Sequence, residues 1–169
     1  MKRMVLLGLG SNLGDSALLL QAACARLAGF ARGPVTVSSF YRTSPVDCPP
    51  DSAPFVNAAA CFEPRHGLTP VTLLYRLKLL ERQFGRIERI ARHAPRELDI
   101  DLLLFDDLEL VTDWLELPHP RAIQRRFVLA PAAEIVPTVC WPGTGRTIAE
   151  LLSELESDEE VVRLAEVTR

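Results

Sequence analysis

The sequence predicts an α+β protein built on one antiparallel sheet, and three observations carry that prediction. Short apolar or β-branched stretches alternate with stretches whose apolar residues recur at helical 3–4 spacing. Their order is strand, helix, strand, strand, helix, strand. The length of 169 residues, with 48% hydrophobic and 24% charged residues, suits one globular core. A βαββαβ order is the ferredoxin-like pattern. The helices of the core are therefore expected on one face of the sheet. The other face is left for loops, ligand and a C-terminal extension. We expect a single domain over residues 1–169, with a core at 4–105 and the extension at 106–169.

Residues 4–10 (MVLLGLG) read as a first strand buried on both faces, with a tight turn at its end. Asp15 or Ser16 caps a helix over 16–29, in which Leu20, Ala23, Leu27 and Phe30 keep the 3–4 spacing. Residues 34–43 (PVTVSSFYRT) read as one strand. Residues 44–54 hold four prolines and no period, and loops that long in compact domains are often functional. Residues 55–63 (FVNAAACFE) form the next strand. Thr69-Pro70 is an N-cap followed by proline at the first helical position. Leu73, Leu77, Leu80 and Phe84 continue that helix to Gly85. Residues 85–97 form a second long loop, and 98–105 (LDIDLLLF) the last core strand. The first and last core strands are the most continuously apolar, which suits the centre of a sheet. Leu108–Leu117 adds a hairpin or edge strand, and short helices follow near 121–135 and 147–155. The acidic tail reads as a solvated helix or a frayed end.

Net charge is −3, unevenly spread. Residues 148–169 hold seven acids and two arginines, so the remainder is slightly basic. Within it, Arg82, Arg86, Arg89, Arg92 and Arg96 fall inside fifteen residues, and Arg121, Arg125 and Arg126 lie close to His119. Such clusters fit nucleotide phosphates; the alternative is a solvated charged face. A pI near 5.6 speaks against a nucleic-acid partner. No apolar run approaches the roughly 18 residues of a membrane span. The opening Met1–Gly8 is basic then apolar, but too short for a signal peptide, so a cytoplasmic protein is expected. Cys24, Cys48, Cys61 and Cys140 form no C-x-x-C pair and read as reduced thiols.

The sharpest chemical feature is Asp99-Ile100-Asp101. On a strand these carboxylates share a face, with Cα atoms about 6.6 Å apart. Leu98, Ile100, Leu102 and Leu104 are expected to point the other way, into the core. Two like charges so placed repel by roughly 2–3 kcal/mol at an effective dielectric near 20, and a divalent cation reverses the sign. Mg²⁺ suits such oxygen ligands beside a phosphate chain. Two exposed acids are the alternative. The Arg-rich loop just before them supplies guanidinium forks for phosphoryl oxygens. No P-loop is present, and Gly8-Leu9-Gly10-Ser11-Asn12 lacks the third glycine of a dinucleotide fingerprint. Phe40, Tyr41, Phe55 and Phe127 are candidate faces for a flat ring, or core residues. Asn57 lies in an otherwise apolar strand, where a buried amide needs a partner.

A series of motifs runs in order along the chain. It comprises Gly10-Ser11-Asn12-Leu13-Gly14, Ser39-Phe40-Tyr41-Arg42-Thr43, Phe55-Val56-Asn57-Ala58 and Pro95-Arg96-Glu97-Leu98-Asp99-Ile100-Asp101-Leu102. Pro118-His119-Pro120 and Arg125-Arg126-Phe127-Val128-Leu129-Ala130-Pro131 complete it. From about residue 4 to 152 the chain resembles the 6-hydroxymethyl-7,8-dihydropterin pyrophosphokinases of folate biosynthesis. The resemblance implies transfer of the β,γ-diphosphate of ATP to the pterin hydroxymethyl group, releasing AMP. It implies that Asp99 and Asp101 hold two Mg²⁺ ions, and that Arg86 and Arg96 neutralise the transferring group. Asp101 is also a candidate acceptor for the hydroxyl proton. Lys78, Glu81, Arg96, Leu102, His119 and Arg125 would contact ATP. Phe55 and Phe127 would stack on the pterin, with Thr43, Ser44, Val46 and Asn57 reading its edge. A monomer or weak dimer is expected.

Some positions depart from the family pattern. His93-Ala94 stands where Trp-Gly is frequent, Glu88 where a basic residue is frequent, and Trp114 where some members have Arg. Phe55 replaces a common Tyr, and Ser44 a common Pro. An active enzyme with weaker nucleotide binding is expected. Glu88 and His93 are the only support for an impaired pterin- or nucleotide-binding relative. A ferredoxin-like RNA-binding module fits poorly with two acids on the sheet. A different Mg-ATP transferase fits poorly with Phe55, Asn57 and Phe127 together.

Overall fold

The computed structural model describes residues 3–45, 53–85 and 97–165. Its main sheet is antiparallel, and β1 (Val5–Ser11) lies inside it, flanked by β4 (Phe55–Phe62) and β5 (Asp99–Phe105). Beyond β4 lie β3 (Tyr41–Thr43) and then β10 (Val161–Arg163) at the edge, while β2 (Thr36–Val37) also pairs with β4. The order β10-β3-β4-β1-β5 contains the expected ferredoxin-like arrangement.

The two helices of the core, α1 (Ser16–Leu27) and α2 (Pro70–Gln83), cover one face as expected. Asp15 caps α1 by accepting from the Leu18 N–H, and Thr69 caps α2 by accepting from the Thr72 N–H. Leu20, Leu27, Leu73 and Leu77 are wholly buried there against Val5, Leu7, Leu9 and Ile100. Each such leucine is worth about 1.5–3 kcal/mol of apolar burial. The extension supplies the second layer. Its helices α3 (Arg126–Ile135) and α4 (Ile148–Glu154) pack on the opposite face, over Leu6, Ala59, Leu103 and Leu104. A hairpin of β6 (Leu110–Val111) and β7 (Glu116–Leu117) tucks Leu115 and Leu117 into the first core. A second hairpin, β8 (Cys140–Trp141) with β9 (Arg146–Thr147), buries Trp141 in the other.

Several expectations need correction. Residues 34–43 are not one strand: Val37 pairs with Ala60 but Tyr41 with Asn57, a one-residue slip of register. The Ser38 hydroxyl accepts the Ala59 N–H close to that slip. β5 is an edge strand, not a central one; it is apolar because both of its faces are covered. Leu104 joins Leu103 on the α3 face, since the register against β1 shifts between Leu6 and Leu7 and breaks the alternation. Gly8 and Gly10 lie within β1, not in a turn. Residues 121–135 divide into a 3-10 turn at Ala122–Gln124 and α3. The tail is neither a helix nor frayed over its described part; it forms β10, Val161 pairing with Thr43 and Arg163 with Tyr41.

Candidate active site

The floor of the site follows from strand register. Asn57 of β4, Gly10 of β1 and Asp99 of β5 lie directly opposite one another across three strands. The next row on the same face is Ala59, Gly8 and Asp101. Both carboxylates thus stand beside glycines, with the Leu103 side chain lying over Gly8 and the Asn57 amide over Gly10. Two strand spacings put the Asn57 and Asp99 backbones about 10 Å apart. A Cβ on Gly10 would come within 2.8 Å of Asn57 Oδ1, so only glycine fits there without displacing the amide. The sequence reading missed this role of Gly8 and Gly10. The signal was their spacing of two, which matches that of Asp99 and Asp101.

One end of the floor has the parts for a flat ring. Asn57 is buried, and its Nδ2 donates to Thr43 Oγ1 at 2.7 Å, which orients the amide. Phe55, two residues before Asn57, is on the same face of β4 and pairs with Thr43. Phe127, in the first turn of α3, belongs to the helix packed over that face. The Arg125 guanidinium lies 5.5 Å from the Phe127 ring centroid. Ser44 donates its backbone N–H to Glu160 O at 3.2 Å. Of the other aromatic candidates, Phe40 packs against the α1–α2 core. Tyr41 donates to Glu134 at 2.8 Å; burial and then this bond and charge push its phenol up to about 12.

The other end carries the charged groups. His119 donates its backbone N–H to Leu103 O at 2.9 Å, which holds it beside β5. Its Nδ1 accepts the Arg121 N–H at 3.3 Å, so a neutral ring carries its proton on Nε2. Burial holds the imidazole below its usual pKa; Arg125 and Arg121 push the same way, against Asp101. A neutral Nε2–H is a donor suited to a phosphate oxygen. Glu81 is wholly buried in α2 and accepts the Ile100 N–H at 2.7 Å and Lys78 Nζ at 2.9 Å. Lys78 also reaches Ile100 O at 3.4 Å. Both side chains therefore brace the outer edge of β5 at Ile100. The Leu102 side chain is buried under the helices, on the face opposite Asp99 and Asp101, which leaves its backbone to meet a ligand.

Asp99 and Asp101 are hard oxygen donors on one face, half-buried, beside the glycines of β1. That donor set fits Mg²⁺, which binds through one or two carboxylates and completes its shell with water and substrate phosphates. Among the described residues no three acidic, His or Cys side chains cluster into a self-sufficient metal cage. Arg86, Arg96 and Val46, together with Glu88 and His93, lie outside the described residues. Trp114 is at the tip of the β6–β7 hairpin and is 78% exposed. Cys24, Cys61 and Cys140 form no disulfide, and burial pushes the Cys24 thiol up to about 12.

A family model described as 7,8-dihydro-6-hydroxymethylpterin-pyrophosphokinase matches residues 6–137. The chain belongs to this family. Among curated relatives, the 2-amino-4-hydroxy-6-hydroxymethyldihydropteridine pyrophosphokinase of Bacillus subtilis is 38% identical over 165 residues, covering 97% of this chain and 91% of its own. That of Synechocystis is 40% identical over 151 residues, covering 88% and 74%. Plasmodium falciparum HPPK-DHPS with pteroate superposes with a TM-score of 0.68 at 13% identity. It matches 90% of this chain, which spans only 44% of that longer one. An HPPK-DHPS in complex with substrates gives 0.70 at 12% identity, covering 90% and 43%. At such identities the structures speak for the fold, and they agree with the α+β arrangement described above. No helix among the described residues is long and apolar enough to cross a membrane.

Proposed function

We propose that the glycine-floored face of the sheet is where the pyrophosphokinase reaction of this family takes place. The chain transfers the β,γ-diphosphate of ATP to the hydroxymethyl group of 6-hydroxymethyl-7,8-dihydropterin, in folate biosynthesis. A bond forms between the hydroxymethyl oxygen and the β-phosphorus, the bond from that phosphorus to the α-bridging oxygen breaks, AMP leaves and the hydroxyl proton is released.

The observation that carries this reading is the Asn57–Gly10–Asp99 row. An amide that can pair with the ring edge and a carboxylate that can hold a metal-bound phosphate face the same space, about 10 Å apart. That span suits a bicyclic ring bound by its edge at Asn57, with its hydroxymethyl arm directed toward Asp99. Phe55 and Phe127 supply the stacking faces, and Thr43, Ser44 and Val46 the remaining edge contacts. Asp99 and Asp101 would hold two Mg²⁺ ions with the nucleotide. Bound there, Mg²⁺ neutralises the triphosphate and makes the β-phosphorus a better electrophile. His119 Nε2–H, Arg125, Arg86 and Arg96 add donors to the phosphoryl oxygens. The Leu102 backbone, braced by Glu81 and Lys78, offers the adenine an edge to pair with. Catalysis is then mostly positioning, since phosphoryl transfer leaves little covalent work to the protein. The chain acts as one catalytic domain, a monomer or weak dimer, in the cytoplasm.

The deciding experiment measures nucleotide products from Mg-ATP with and without the dihydropterin. Dihydropterin-dependent AMP with no ADP is the expected result. ADP instead would mean transfer of a single phosphoryl group and would overturn the reading.

A further inference from the structure

The segment after α4 lies beyond the residues that the family model covers, yet it touches both walls assigned above to the pterin. Leu155 O accepts Arg126 Nη2 at 3.4 Å. Glu159 Oε2 accepts the backbone N–H of Phe127 at 3.1 Å. Glu160 O accepts the Ser44 N–H at 3.2 Å. β10 then pairs with Tyr41–Thr43, and the Leu164 N–H closes on Phe40 O at 2.8 Å. Arg163 reaches Ser39 Oγ at 2.7 Å and Glu134 of α3 at 3.3 Å.

The contact at Glu159 is of a particular kind. The N-cap of α3 is Arg125, which makes no side-chain cap hydrogen bond. Glu159, 32 residues beyond the Phe127 whose N–H it accepts, supplies the missing acceptor and a negative charge at the positive end of the helix. Its own position is set by a bond from the Glu159 N–H to Ser157 Oγ at 3.2 Å. Adjacent residues thus hold two of the assigned pterin contacts: Glu159 holds Phe127, and Glu160 holds Ser44. Their Cα atoms are one peptide apart, so the strap ties the start of α3 and the end of β3 to a single short stretch of backbone.

We propose that residues 155–164 form a strap that sets the width of the dihydropterin pocket, with Glu159 as its positioning residue. This rests on the reading of Phe127, Thr43 and Ser44 as pterin contacts. The strap is on the β10–β3 side of the sheet, whereas Asp99, Asp101, Glu81 and His119 gather at β5, the opposite edge. Its effect therefore falls first on the pterin, and reaches the nucleotide only through Arg125, the N-cap of the same helix.

The test is steady-state AMP release by the full chain, with each substrate varied in turn and melting temperature recorded in parallel. Glu159→Ala loses one charge-assisted hydrogen bond, and the dihydropterin KM is expected to rise about tenfold. The ATP KM, touched only through Arg125, is expected to rise several-fold less than the dihydropterin KM, and kcat also to change less. Glu159→Asp keeps the charge but is one methylene too short, and should behave like Ala. Glu159→Gln keeps an acceptor at full length and should recover most of the affinity. If the Ala variant does not fold, the Asp and Gln pair decides. An unchanged dihydropterin KM, with or without a lower melting temperature, overturns the strap, and so does an equal rise in both KM values. A wild-type chain that makes no dihydropterin-dependent AMP overturns the functional reading and the strap together.

Discussion

Replacing Gly10 by alanine adds one methyl group at the centre of the floor. Its Cβ would meet Asn57 Oδ1 at 2.8 Å, where ordinary van der Waals contact begins at 3.4 Å. The amide must recede by the difference, about 0.6 Å. It has little room, being buried and tied to Thr43 Oγ1 at 2.7 Å. Overpacking of this size costs about 1–3 kcal/mol. For a chain of this length that lowers the melting temperature by about 2–4 °C per kcal/mol. A hydrogen bond of about 2.9 Å lengthened by the same displacement reaches the outer limit of its range. Dihydropterin KM is therefore expected to rise at least about tenfold. The ATP KM should change less than that of the dihydropterin, because the added methyl group meets the Asn57 amide. Gly8→Ala is the control: its Cβ would meet Leu103 Cδ1 at 3.5 Å, an ordinary contact, so stability should change by less than about 1 kcal/mol. AMP release at varied dihydropterin, with thermal melting of the same samples, checks both. A folded Gly10→Ala enzyme with the wild-type dihydropterin KM would refute the assignment of Asn57 to the ring.

Three further outcomes are expected. Asp99→Asn removes a charged metal donor from the floor, so AMP release at saturating Mg-ATP should fall by at least about 100-fold. Glu81→Ala strands the buried Ile100 N–H and should cost about 1–3 kcal/mol in a denaturant titration. Glu134 has its pKa held down; burial works against this, but hydrogen bonds from Ser39 and Tyr41 and the charge of Arg163 outweigh it. A depressed folded-state pKa gives stability that is present above the usual carboxylate pKa and lost as pH falls through the folded value. Melting temperature should therefore drop less steeply on acidification in Glu134→Gln than in wild type.

The parts that were legible in the sequence are those set by local chemistry. Thr69-Pro70, Asp15 and Thr147 mark helix starts because capping needs only a few neighbouring residues. Asp99 and Asp101 share a face because a strand has period two. What could not be read was set by pairing between distant segments. The slip between Val37 and Tyr41 depends on how β4 meets them. Leu104 changed faces because of a shift in register against β1. β10 has two valines and a charged surrounding; only the open edge of β3 makes it a strand. Glu159 had no local signal at all, since the helix it caps begins 33 residues earlier.

The position of the glycines explains why this sheet face can serve a two-substrate transfer. A central strand usually gains stability from large side chains on both faces, and β1 does so on one, through Val5, Leu7 and Leu9. On the other face it holds Leu6 and then only Gly8 and Gly10. The burial forgone there is that of two apolar side chains, about 1.5–3 kcal/mol each. In return the flanking strands present an amide and two carboxylates across two glycines, held in place by backbone ladders on either side of β1. Moving either group by one residue along its strand would turn it into the α1–α2 core. The spacing between ring reader and metal donors is thus set by sheet register, a rigid quantity, and the walls alone depend on longer-range ties such as Glu159.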